Sequence, residues 1–130
     1  MVYDREVLIR HRVQRGRETA EEAKLALDND RLNLAENRIY YAMFYMVQAL
    51  AIKHDFKTSK HAQLLGWFNK EFVRAGRIEE VFGNVFHSGF EKRRESDYDD
   101  FVTFEIEEVQ RDFCNMNRFL DVIEALIQAE

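Results

Sequence analysis

Between Ile39 and Ile52 the chain reads IYYAMFYMVQALAI, with Gln48 its one amide or charged side chain. A helix of this composition is apolar around most of its circumference and has to be covered on most sides. It is too short to cross a membrane, which takes about 20 apolar residues. The pattern therefore predicts a central buried helix from about Leu32 to His54. Ahead of it, Ile9, Val13, Gly16, Ala20, Ala23 and Leu27 recur at spacings of 4, 3, 4, 3 and 4. That is the period of one helix face, and it predicts a first helix over Asp4 to Asp28. Three of the six residues are small, so this helix can lie close against a neighbour. Asp28, Asn29 and Asp30 form the turn between the two.

Further on, Asp55 to Ser59 reads as a short polar loop, with Thr58 or Ser59 able to cap a third helix over Lys60 to Ala75. Gly76 is placed as its C-terminal stop. A shorter fourth helix, Ile78 to Lys92, carries Phe82, Phe86 and Phe90. Arg93 to Val102 lacks helical period and reads as a loop. Thr103 can then cap a last helix, with Glu105, Glu107 and Glu108 favourable in its first turn. Its inner stripe is Ile106, Val109, Phe113, Met116, Leu120, Ile123 and Ile127.

Composition agrees with this pattern. Proline is absent and glycine occurs five times among 130 residues, too little punctuation for the frequent turns of a sandwich or barrel. The expected fold is all-α: one domain over residues 1–130, an antiparallel up-and-down bundle of four long helices plus one short helix. The apolar sides of the central helix exceed what three neighbours would cover, which points either to helix four wrapping the Tyr40, Phe44 and Val47 side or to a two-fold homodimer.

Cys114 is the single cysteine, which excludes an intramolecular disulfide and a cysteine-rich metal site. The N-terminal MVYDREVLIRHR has no apolar core of a signal peptide, so a cytoplasmic location is expected, with no membrane association. Charge is unevenly distributed: residues 95–130 hold eleven Asp/Glu against two Lys/Arg, and the preceding residues hold seventeen basic side chains against thirteen acidic ones. A polyanion would therefore be held at a local basic site rather than by a uniformly basic surface.

The four histidines show no zinc-helix spacing, and glycine-rich phosphate loops are absent. No metal and no cofactor is expected. Asp97, Tyr98, Asp99 and Asp100 lack the turn glycine and distal glutamate of a calcium loop and read as a solvated acidic loop. Lys92, Arg93 and Arg94 are either a helix end neutralised by the acids that follow or an arginine fork for RNA phosphate beside Asp97 and Tyr98. Arg38, at the mouth of the apolar helix, is expected to be partly buried and paired with Glu36 or with an acid from another helix. Lys60 and His61 open helix three. If His61 faces Arg93, it becomes a candidate acid/base group or phosphate ligand.

Four stretches carry a resemblance. They are Ala35 to Phe44 (AENRIYYAMF), Ser59-Lys60-His61, Lys70 to Gly76 (KEFVRAG), and Arg93 to Phe101 (RRESDYDDF) ahead of an acidic last helix. Together they resemble the HEPN domains (higher eukaryotes and prokaryotes nucleotide-binding), in particular the small stand-alone prokaryotic members. The resemblance implies a dimerising helical bundle, commonly paired with a minimal nucleotidyltransferase in a toxin–antitoxin-like module. Many such proteins are metal-independent ribonucleases with an Arg-x4–6-His motif, where two protomers' motifs meet. This chain departs from that motif: from Arg93 and Arg94, the histidine positions hold Tyr98, Asp99, Asp100 and Phe101. The implied function is a dimeric module component that binds RNA or nucleotide at Arg93 and Arg94, with Arg38, Lys60 and His61 as further ligand-binding candidates. The alternatives are a ribonuclease using Arg93 or Arg94 as the phosphate clamp, with Tyr98, Asp97 or a borrowed His61 in place of the lost histidine, or a ligand-free structural dimer. Tyr98 is also a candidate nucleotide acceptor for the nucleotidyltransferase.

Overall fold

The computed structural model describes residues 4–129 and holds five helices: α1 (Arg5–Asp28), α2 (Leu32–Lys53), α3 (His61–Phe68), α4 (Glu80–Tyr98) and α5 (Ile106–Gln128). No strand occurs among the described residues, and no helix among them is long and apolar enough to cross a membrane. The fold is an all-α bundle around α2, which is buried almost continuously from Ala35 to Ile52.

Each neighbour covers a different side of that rod. Helix α1 runs antiparallel to it: Arg5 donates to the Lys53 carbonyl and pairs with Asp55 at 3.1 Å. Small residues set the approach, because a Cβ on Gly16 would stand 3.1 Å from the Ala42 carbonyl oxygen. Helix α5 runs parallel to α2, and the Lys53 ammonium reaches the carbonyls of Leu126, Ile127 and Ala129. Those carbonyls close α5 and have no partner within the helix, so the lysine satisfies them from outside.

Helices α3 and α4 cover the remaining side. Phe86 stacks on Tyr40 with centroids 6.0 Å apart, and Phe68, Phe72 and Phe119 extend the aromatic core. The Tyr40, Phe44 and Val47 side is thus covered within one chain. The apolar surplus of α2 therefore supplies no argument of its own for a second copy.

Several boundaries differ from the sequence expectation. The short helix is the third, not the fourth: α3 ends at Phe68 and continues as one π turn, Asn69–Val73, before Gly76 reverses the chain at φ +73°. Helix α4 runs on through Arg93 to Tyr98, so the first six residues of the expected Arg93 to Val102 loop are helical and the rest are not. Its last turn holds no basic residue, and Lys92 to Arg94 do not cap it. Thr103 does not cap α5, whose N-cap is Glu105; Phe104 is buried just ahead of it. Neither Thr58 nor Ser59 caps α3. Lys60 holds that position, and the Thr58 hydroxyl accepts its N–H at 3.1 Å.

Candidate functional site

Consecutive residues on an α-helix point about 100° apart. The run Lys92-Arg93-Arg94 is therefore three separate contacts rather than one fork. Lys92 turns to α5, where it meets Asp112 and, at 2.8 Å, Glu108. Arg93 turns inward over α2. Arg94 faces outward, with only Glu91 near it at 3.9 Å.

Arg93 is the cation that enters the fold. Its side chain is 16% exposed and its guanidinium lies 5.3 Å from the centre of the Tyr40 ring, a cation–π distance. One nitrogen donates to Asp97 Oδ2 at 3.0 Å, an i,i+4 pair made possible by the helical extension. The buried Nε has no hydrogen-bond partner.

His61 completes the arrangement from α3. The Tyr40 hydroxyl lies 2.7 Å from His61 Nδ1, and the imidazole stacks on Phe44 with centroids 4.3 Å apart. Burial lowers the pKa of His61 below its ordinary value; Arg93 lowers it further and Asp97 opposes the shift. The ring is therefore neutral at pH 7. Burial holds the Tyr40 phenol protonated, with its pKa raised, although Arg93 acts in the other direction. The result is a neutral imidazole at the Tyr40 hydroxyl and a guanidinium over the Tyr40 ring. Such a set can hold an anion, and His61 Nε2 can accept a proton when Nδ1–H donates to the Tyr40 oxygen.

The other expected residues divide around this centre. Asp97 belongs to it through Arg93. Arg38 borders it: its guanidinium lies 5.3 Å from the Tyr41 ring centre, and Tyr41 is edge-on to His61 at 5.6 Å. Arg38 pairs with Glu22 of α1 at 3.2 Å and donates to Asn37 Oδ1, rather than pairing with Glu36. Lys60 is exposed on the flank. Arg94 and Tyr98 lie outside the centre, Tyr98 being 85% exposed at the end of α4.

Tyr40 and Phe44 are site residues that the sequence pattern assigns to the core alone. A phenol inside an otherwise apolar run is the available signal, since a buried hydroxyl needs a partner.

A second polar group lies between α2, α4 and α5. Glu36 is 3% exposed, its Oε1 has no partner, and it lines a cavity of about 210 Å3 with Asp112, Asn84 and Ser88. Burial, reinforced by Asp112, pushes its carboxyl up to about 9, so it is protonated at neutral pH. No group of three His, Cys, Asp or Glu among the described residues is placed to hold a metal ion.

Comparison with known proteins matches residues 9–126 to the HEPN domain. A "UPF0332 protein" of Thermotoga maritima is 42% identical over 125 residues, covering 96% of this chain and 95% of that protein. A Methanocaldococcus jannaschii protein named "Putative toxin MJ0605" is 34% identical over 94 residues, covering 69% of this chain and 70% of its own.

Proposed function

The chain belongs to the HEPN domain family, and from that premise we propose that it is a toxin-like component that grips RNA phosphate between Arg93 and His61. One observation carries the reading: two residues from different helices meet at Tyr40, one a fixed cation and the other a neutral imidazole. Arg93 supplies the positive charge a phosphodiester seeks. The toxin-like context is supported by the name of the Methanocaldococcus relative. A cytoplasmic homodimer, partnered by a minimal nucleotidyltransferase, follows from the family resemblance.

The position of His61 favours a second reading, metal-independent RNA cleavage. The family's histidine is missing downstream of Arg93, and His61 stands in from another helix. In the tautomer whose Nδ1–H donates to the Tyr40 oxygen, His61 Nε2 accepts the proton of the 2′-hydroxyl as its oxygen bonds to phosphorus; the P–O5′ bond breaks and the departing 5′-oxygen takes a proton, while Arg93 offsets charge on the crowded phosphate.

Binding is tested by fluorescence anisotropy with a labelled single-stranded RNA at fixed salt. Arg93→Gln is expected to weaken binding about tenfold, as befits one charged hydrogen bond to phosphate. An unchanged affinity removes Arg93 from the interface. Cleavage is tested by incubation with RNA in EDTA, where His61→Asn is expected to abolish product. Cleavage that survives this substitution rules out His61 as the base.

A further inference from the structure

Partly buried cations elsewhere in this fold have partners: Arg17 with Asp121 and Glu124, Arg38 with Glu22, Lys92 with Asp112 and Glu108, Arg93 with Asp97, Lys53 with the carbonyls of Leu126 and Ile127, and Arg15 with the Tyr45 ring. One cluster breaks this pattern. A pocket of about 400 Å3 between α1, the C-terminal half of α2 and the linker to α3 is lined by Arg12, Gln48, Lys57, Thr58, Ser59 and Lys60. Among the described residues no carboxylate lies within salt-bridge distance of its three cations.

Two polar atoms in its wall are also unsatisfied. Arg12 Nε is buried and donates to nothing. Gln48 is 7% exposed; its amide nitrogen donates to the Thr58 carbonyl at 3.1 Å, while its buried Oε1 accepts nothing. Leaving such buried groups without partners is costly to the fold. The pocket thus presents an orphaned donor, an orphaned acceptor and three free positive charges. A ligand that answers all of them carries anionic oxygens together with a hydroxyl, and a ribose phosphate does so. The cavity beside Glu36 is lined by acids and offers an anion no such charge.

Its place in the fold connects it to the Arg93 centre. Gln48 follows Phe44 by four residues, about 6 Å along the same face of α2, and Phe44 is the platform under His61. Lys60 precedes His61 directly, and the positive end of the α3 dipole adds to the field there. We propose that this pocket holds a second phosphate, with its ribose hydroxyl, of the same RNA strand that reaches Arg93 and His61. Arg12, Lys57 and Lys60 hold the phosphate oxygens and Gln48 Oε1 accepts the hydroxyl. The inference rests on the RNA-binding reading above for the identity of the strand.

The test is the affinity of the full chain for a labelled single-stranded RNA hexanucleotide, measured across a salt series. Lys57→Gln/Lys60→Gln removes two exposed charges and is expected to leave the melting temperature unchanged. It is expected to weaken binding about tenfold and to flatten the plot of log affinity against log salt by about 0.7 for each phosphate no longer neutralised. Arg111→Gln/Arg118→Gln removes two charges from exposed positions on α5 as a control. Unchanged affinity and slope in the lysine variant, or an equal weakening in the control, overturns the pocket; weakening in Arg93→Gln alone then leaves the Arg93 reading standing. Weakening in the lysine variant with none in Arg93→Gln supports the pocket and overturns the Arg93 reading. No binding by the unsubstituted protein overturns both.

Discussion

The Tyr40 hydroxyl and His61 Nδ1 lie 2.7 Å apart, tying the middle of α2 to the first turn of α3. The bond fixes the imidazole over Phe44 and beside the guanidinium of Arg93, and it satisfies a phenol that would otherwise be buried alone. Removing the hydroxyl in Tyr40→Phe is expected to destabilise the protein by about 1–2 kcal/mol, measured by chemical denaturation. No change in the midpoint would mean that the bond adds nothing to stability.

His61 should report the charge of Arg93 directly. Burial and Arg93 both lower its pKa, so the folded value lies below the unfolded value of about 6.5. Its contribution to stability is therefore present above pH 6.5 and is lost as pH falls through the folded value. In Arg93→Gln the His61 titration, followed by NMR, is expected to move upward. A midpoint that stays in place would separate the two side chains electrostatically.

Glu36 has the opposite sign. Its pKa is raised from 4.5 to about 9, first by burial and then by Asp112. The stability of the protonated form is complete below about pH 4.5 and declines as pH rises through about 9. Glu36→Gln keeps the shape without the ionisation, so at pH 8 it is expected to be more stable than the unsubstituted protein by up to about 5 kcal/mol. That advantage should vanish near pH 4.5. Parallel melting curves at all pH values would show instead that the carboxyl is hydrated or already ionised.

Gly16 tests the packing of α1 on α2. The nearest atom to an added Cβ is the backbone carbonyl of Ala42, in a helix held on all sides, so it cannot yield as a side-chain end does. Gly16→Val is expected to cost about 1–3 kcal/mol, read from thermal unfolding. At Gly89 the closest atom is the flexible Met43 Cε, so Gly89→Ala should be tolerated better.

What can be read from sequence follows from where the information lies. Helix α2 is legible because its apolar run admits no other placement, and the α5 stripe through Val109, Met116, Leu120 and Ile123 is buried as its spacing requires. Phe119 escapes that stripe because a core-facing band is wider than a single 3-4 repeat. The last turns of α4 escape because polar residues facing solvent leave no hydrophobic period. The one local sign is the i,i+4 pair Arg93 and Asp97. The π turn is not legible either, since Asn69 to Val73 reads like ordinary α-helix. Recruitment of His61 to Tyr40 and Arg93 is a long-range event that no spacing encodes, although the order of the family's short motifs holds its residues.

Asp97 sits on the Arg93 guanidinium at 3.0 Å. An anion arriving from solution has to unseat a carboxylate tethered to the same helix, four residues away. On the proposed RNA-binding reading, competition of this kind favours polymers that bring several contacts at once over small inorganic ions that offer one. The acid would then be a built-in rival to the incoming ligand.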